Sequence, residues 1–278
     1  MQIKIYEPTK RSGNLFSLIK EMFKDLFSSL GLAKRLFIRD KKAEYRQSVF
    51  GILWAFITPL TNALVWIFLS ASGAVSVSGT GIPYPLFVFL GTMLWSVFAE
   101  SVTMPLMQTN VSKSLISKIN FPKEAILVAG FYKTMFNTGI KVLILIIALF
   151  FFKITFSFTI IGFLLGVVFL ALFGIAIGLF ITPIGMLYTD IGRAIPIALS
   201  FLMYLTPVVY KGTRFQSLQA FIDLNPLTPV INSTRNLATS GGLDNPTYLL
   251  IIFIATLIIG LLGWIFYRVS IPIIVERM

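Results

Sequence analysis

Neither cysteine nor histidine occurs anywhere in this 278-residue chain. The first absence removes disulfide frameworks and thiol nucleophiles, and the second removes imidazole bases. Together they remove the usual zinc and soft-metal ligand sets, so no metal centre is expected. A phosphate loop is missing too: GxxxxGK followed by Ser or Thr is nowhere found, so a nucleotide, if one drives this protein, binds to another subunit. Charge is scarce and unevenly spread. Only 12% of the residues are Asp, Glu, Lys or Arg, and residues 47 to 99 run 53 positions without one of them. Charge-free runs return at 154 to 189 and 245 to 267.

What is there is hydrophobic. With 56% apolar residues and a mean hydropathy of +0.88, the composition is that of a polytopic membrane protein. A hydrocarbon core of about 30 Å takes roughly 20 helical residues per crossing, so the first charge-free run holds two crossings, parted by the Gly, Ser and Pro cluster of Ser72 to Pro85. The fold class expected is all-α, with six spans at about 50–72, 84–107, 124–152, 158–186, 194–211 and 247–268. Residues 1–49 form a cytosolic and interfacial amino-terminal region and 50–278 the six-span domain. Of the 23 basic residues, 17 fall on the side of the termini and four in the opposite loops, which places both termini in the cytoplasm. The net charge of +12 is therefore read as a membrane-surface signal, with no nucleic acid as partner.

Ahead of the first span, residues 15–30 set Leu15, Phe16, Leu18, Ile19, Met22, Phe23, Leu26, Phe27 and Leu30 on one broad helical face, opposite Lys20, Glu21, Lys24, Asp25 and Ser28. That pattern predicts a helix lying in the membrane interface, or one packed on a protein surface. Lys34 to Arg46 is dense in charge and free of Gly and Pro, and predicts a cytosolic helix that can serve as a handle for a soluble partner. Between the fifth and sixth spans, Arg214 to Leu224 and Leu227 to Leu237 show helical spacing on either side of Asn225-Pro226, as two short outer helices.

Few constellations could carry chemistry, and no catalytic residue is assigned. Glu100 in the second span and Lys133 in the third reach similar depth and are expected to pair, since an unpaired membrane charge is costly. Two readings stand: an ion pair that holds helices, or Lys133, Asn137 and Lys141 facing a cavity that attracts a phosphate-bearing substrate. Gly162, Gly166, Gly174 and Gly178 form two GxxxG steps that predict close helix packing.

Four segments carry a family resemblance. RDKKAEYRQSVFGILWAFITPL at 39–60, KSLISKINFPKEAI at 113–126, DIGRAIPIALSFLMYLTPVVY at 190–210 and NPLTPVINSTR at 225–235 resemble, in order, the signatures of type-2 ABC exporter permeases of the polysaccharide branch, which export O-antigen, capsule and teichoic-acid polymers. The resemblance implies a half-transporter: a second copy of the chain completes a conduit, two copies of an ABC ATPase dock below with Mg-ATP, and this chain itself holds no cofactor and is not an enzyme. It implies that Lys113, Lys118, Asn120, Phe121 and Pro122 form a coupling element on the ATPase, framed by Arg39, Asp40 and Arg46. It further implies an outer gate at Arg214, Phe215, Asn225, Pro226 and Arg235. Trp54, Trp66, Tyr204 and Tyr210, with Glu100, Lys133, Asn137 and Lys141, are candidates for the conduit or substrate path. The expected activity is export of a polyprenyl-diphosphate-linked, O-antigen-like polysaccharide across the inner membrane. Its rivals are a type-2 permease for teichoic acid, a drug or a small lipid, a proton-coupled carrier with Glu100 as its proton site, and a membrane transferase.

Overall fold

The computed structural model describes residues 15–46, 49–72, 81–154, 158–210, 219–239 and 241–276, and every regular element among them is helical. Two amino-terminal helices, α1 (Leu15–Ser28) and α2 (Leu30–Arg46), lead through a short 3₁₀ turn to α3 (Trp54–Ala71). Then follow α4 (Tyr84–Val111), α5 (Lys113–Lys118), α6 (Glu124–Phe151), α7 (Thr159–Leu187), α8 (Thr189–Leu205), α9 (Gln219–Leu224), α10 (Leu227–Ala238) and α11 (Pro246–Glu276). Four of these, α4, α6, α7 and α11, are long and apolar enough to cross a membrane by length and composition. The first and fifth expected spans fall on shorter helices: α3 has 18 residues and α8 has 17. At 1.5 Å per residue each covers about 26 Å, slightly less than the hydrocarbon thickness.

The boundaries shift for identifiable reasons. Asp190 sits in the first turn of α8, where a carboxylate suits the positive end of the helix, so α8 begins five residues before the expected span. It stops at Leu205 because Pro207 biases Thr206 to an extended conformation. The last helix continues eight residues past its expected end at 268, through Arg268 and Pro272, because Arg268 finds acidic partners and does not mark the end of the apolar stretch. Leu30 opens α2 and leaves the α1 face to which its spacing assigned it.

The centre of the bundle is α4, buried on nearly every side from Leu86 to Thr109. It can be so because its hydroxyls bond to its own backbone: Thr92 to Val88 O, Ser101 to Val97 O and Thr109 to Pro105 O at 2.7–2.9 Å. Against α4 lies α7, and the glycine stripe explains the fit. A Cβ built on Gly174 would stand 2.8 Å from Phe98 O, and one on Gly178 2.4 Å from Val102 O. Gly166 and Gly162 continue the stripe against Thr234 and Leu237 of α10. On the other side of α7 packs α11, with Gly263 close to Leu179 and Phe180. Most of α11 stays uncovered, with Leu250, Ile251, Leu257 and Ile258 all more than half exposed, as suits a helix whose solvent is lipid.

Candidate functional site

Two polar regions mark the two ends of α4. At its carboxyl-terminal end, α2 lies along α6 and turns Asp40, Lys41 and Glu44 toward the bundle. Lys41 Nζ donates to Asn137 Oδ1 at 2.8 Å, and Asn137 donates through Nδ2 to Glu100 Oε1. The second oxygen of Glu100 takes Lys141 Nζ at 2.8 Å. Glu44 accepts Lys133 at 3.1 Å and Lys41 at 3.5 Å. The chain is possible because residues 133, 137 and 141 are four apart and share one face of α6.

The expected Glu100–Lys133 pair is thus replaced by Glu100–Lys141. The cause is competition: Glu44 of α2 takes Lys133, and Glu100 is left to Asn137 and Lys141 on the same face of α6. Lys141 is buried and committed to this ion pair, whereas the Lys133 side chain is one-third exposed. The carrier reading loses its open carboxylate, because both oxygens of Glu100 are engaged. The network joins three ammonium groups to two carboxylates, so it holds one positive charge in excess. Asp40 fastens α2 to α4 by accepting from Gln108 Nε2 at 2.7 Å, and it also pairs with Arg39.

Beside this network, α5 and residues 119–123 join α4 to α6. Lys113, Lys118, Ile119 and Asn120 are exposed, while Phe121 is buried in the core and Pro122 is half-buried. The segment therefore presents a basic and amide surface and is anchored by its phenylalanine. Lys123 packs over the Phe121 ring, 4.9 Å from its centroid. Burial pushes the Lys123 ammonium below the usual lysine range, with neighbouring Glu124 acting in the opposite sense. Arg39 and Arg46 are exposed on α2, and Arg39 pairs with the Asp40 that Gln108 holds near the end of α4.

At the other end, residues 206–209 after α8 are pinned from three directions. Asn225 donates to Thr206 Oγ1 at 2.8 Å and accepts from the Leu227 amide, while Tyr84 donates to Val209 O at 3.2 Å. Arg235, only 3% exposed, donates to Val208 O at 2.7 Å and Pro207 O at 3.2 Å and lies over the Phe87 ring, 3.8 Å from its centroid. Gly91 makes room for this: a Cβ there would fall 2.1 Å from Val208 O. Pro226 stands at the amino-terminal cap of α10. Arg214 and Phe215 lie outside the described residues, as do residues 214–218 of the first of the two short helices expected there; the rest of it is α9.

The aromatic candidates divide. Trp66 of α3 meets Tyr204 of α8 with ring centroids 6.4 Å apart, and Tyr210 Oη donates to Tyr204 O at 2.7 Å. Trp54 is twelve residues, or about 18 Å, along α3 from Trp66 and packs edge-on against Phe50 instead. Most of α8 is uncovered, burying only Ile195 and Leu199 while Arg193, Ile197, Phe201 and Tyr204 stand exposed.

Sequence reasoning did not single out Lys41, Glu44, Gln108, Glu124 or Arg268. A signal existed for Lys41 and Glu44: the inward positions Ala33, Leu36 and Phe37 continue at helical spacing to Asp40, Lys41 and Glu44, an apolar stripe turning polar.

The sequence pattern of the ABC-2 type transporter family matches residues 32–238, about three-quarters of the chain. The chain is 27% identical over 231 residues to the O-antigen export system permease protein RfbA of Klebsiella pneumoniae, covering 81% of this chain and 86% of that protein. A protein of the same name from Myxococcus xanthus is 23% identical over 216 residues, covering 76% and 82%.

Proposed function

This chain belongs to the ABC-2 type transporter family as a membrane-embedded permease subunit, and on that premise we propose that it exports a polyprenyl-diphosphate-linked, O-antigen-like polysaccharide across the inner membrane. The observation that carries the proposal is the polar surface of α5 and 119–120, exposed after the end of α4, in a chain with no phosphate loop; Arg39 and Arg46, exposed on α2, frame the same contact in this reading. An ABC ATPase seated there pushes on a segment that is anchored in the core by Phe121, so a displacement at the surface reaches α4 and α6. Both termini then lie in the cytoplasm, in keeping with the basic bias of the amino-terminal region.

In this reading six spans cross the membrane, α3 and α8 among them. The uncovered face of α8 meets a second copy of the chain, and the Trp66–Tyr204 pair borders the conduit between them, offering flat rings to sugar faces. The excess positive charge of the network around Glu100, with Lys133 as its exposed member, attracts the diphosphate of the lipid-linked substrate. The pinned 206–209 segment with α9 and α10 is the outer gate. Export of O-antigen by the named relatives supports the substrate class.

The test is co-expression with candidate ABC ATPase subunits, purification on a tagged permease and measurement of ATP hydrolysis in nanodiscs. Stoichiometric recovery of the ATPase is expected from the parent chain, and at least a tenfold loss of recovery from the Lys118→Ala, Ile119→Ala, Asn120→Ala triple variant. Undiminished recovery from the triple variant removes the docking face.

A further inference from the structure

A second charged cluster joins α1, the start of α6 and α11. Arg268 of α11 holds two carboxylates at once: its Nη2 is 2.6 Å from Asp25 Oδ2 of α1, and its Nη1 pairs with Glu124 Oε1, on the first residue of α6. Glu124 is 2% exposed, so its charge is viable only with this partner. It also follows directly on Phe121, Pro122 and Lys123. One turn before Arg268, Trp264 meets Phe23 of α1 edge-on with centroids 5.2 Å apart. The neighbouring Tyr267 is bonded through its hydroxyl to Thr109 at 3.0 Å, near the end of α4. One stretch of α11, residues 264–268, therefore touches the amphipathic helix α1, the end of α4 and the start of α6. The Arg268 guanidinium joins α1 to the first residue of α6, directly after the 119–123 segment.

We propose that Arg268 is the positioning residue that ties segment 119–123 to α1, so that the ATPase stroke delivered to that segment also moves the helix at the membrane surface. The inference rests on the reading of 119–123 as the ATPase contact. A planar guanidinium suits this joint because its two outer nitrogens fix two carboxylates in one geometry, which an ammonium does not do. Asp25 is the separable leg of the joint, since it is partly exposed and its neutralisation leaves the buried Arg268–Glu124 pair intact.

This chain has no cysteine to contribute background labelling, and the ATPase is used in a cysteine-free form. Spin labels on Lys20→Cys and Lys123→Cys report the distance from α1 to the segment in the full complex with its ATPase in nanodiscs. In the parent the distance is expected to stay within one narrow distribution with and without ATP. With Asp25→Asn the distribution is expected to broaden on ATP addition, and surface polysaccharide in complemented cells to fall at least fivefold while ATP hydrolysis stays within twofold. The doubly neutral Glu124→Gln, Arg268→Gln variant, which buries no lone charge, should behave likewise. Arg268→Lys should restore less than half of the export. An unchanged distance distribution in Asp25→Asn and in the double variant overturns the tether, whatever happens to export. Failure of the docking reading shows separately, as ATPase recovery undiminished by the triple variant, while the distance change still stands for the tether itself.

Discussion

Replacing Gly178 by Ala tests the packing at the middle of the bundle. The added Cβ would fall 2.4 Å from Val102 O and 2.9 Å from Pro105 Cδ, a main-chain oxygen and a ring carbon that cannot rotate away. Ordinary contact needs about 3.5 Å, so α7 must retreat from α4 by about 1 Å, and a gap of that size forfeits a quarter to a half of the dispersion energy across the surfaces it opens. Overpacking of this kind costs about 1–3 kcal/mol. Alanine's better helix propensity returns up to about 1 kcal/mol, leaving a net loss of roughly 1–2 kcal/mol. Three other glycines act as internal controls. At Gly139 nothing lies within 4 Å, at Gly260 the nearest atom is Ala176 Cβ at 3.6 Å, and at Gly162 the neighbour is the flexible Leu237 side chain at 3.2 Å. Unfolding midpoints in nanodiscs should rank Gly139→Ala and Gly260→Ala at or above the parent, Gly162→Ala slightly below it and Gly178→Ala clearly lowest. A Gly178→Ala protein as stable as Gly139→Ala would refute the close α4–α7 contact.

Other outcomes follow from the two polar ends and from α1. Glu100→Met strands buried Lys141 and should cost about 3 kcal/mol, the low end for broken buried pairs because Glu100 is partly exposed. The Glu100→Met, Lys141→Met chain should recover at least half of that loss in the same unfolding assay, and no recovery would deny the pairing. Arg235→Met should raise the labelling rate of a Val208→Cys probe by more than tenfold, since the parent buries Val208 completely and fixes its carbonyl; equal rates would show that the arginine does not hold the segment. A tryptophan placed at Phe27, 68% exposed on α1, should be quenched by brominated lipid, and an unquenched signal would remove α1 from the membrane interface.

Much of the helix layout was legible because burial in lipid leaves a coarse mark. The third and fourth expected spans match α6 and α7 to within a residue at each end, at 124–151 and 159–187, even though Lys133 and Lys141 interrupt the first of the two. Charges blurred the rest. Arg268 reads as the end of an apolar run, and only the three-dimensional arrangement reveals that Asp25 and Glu124, far away in sequence, neutralise it. The pairing of Glu100 failed for a related reason: Glu44, distant in sequence on α2, takes Lys133, and depth along the two spans carries no trace of that competitor. GxxxG spacing announced a close contact but not its partner, which is α4 for one step and α10 for the other. Arg235 was legible as a position near Asn225-Pro226, and its hold on the Pro207 and Val208 carbonyls was not, because backbone acceptors have no sequence signature.

The hydroxyls inside α4 have a mechanical consequence. Thr92, Ser101 and Thr109 bond to their own helix, as Thr182 does to Gly178 O in α7, so they add no directional bond across the glycine-lined surface between the two helices. Contact there is shape alone, with main-chain atoms of one helix riding on bare α-carbons of the other. Such a surface behaves as a bearing: sliding by a fraction of a turn exchanges one set of weak contacts for another and ruptures no hydrogen bond between those hydroxyls. Resistance to tilting then resides at the ends of the bundle, in the ionic fastenings of α2, α6 and α11 at one end and the carbonyl clasp of Arg235 at the other.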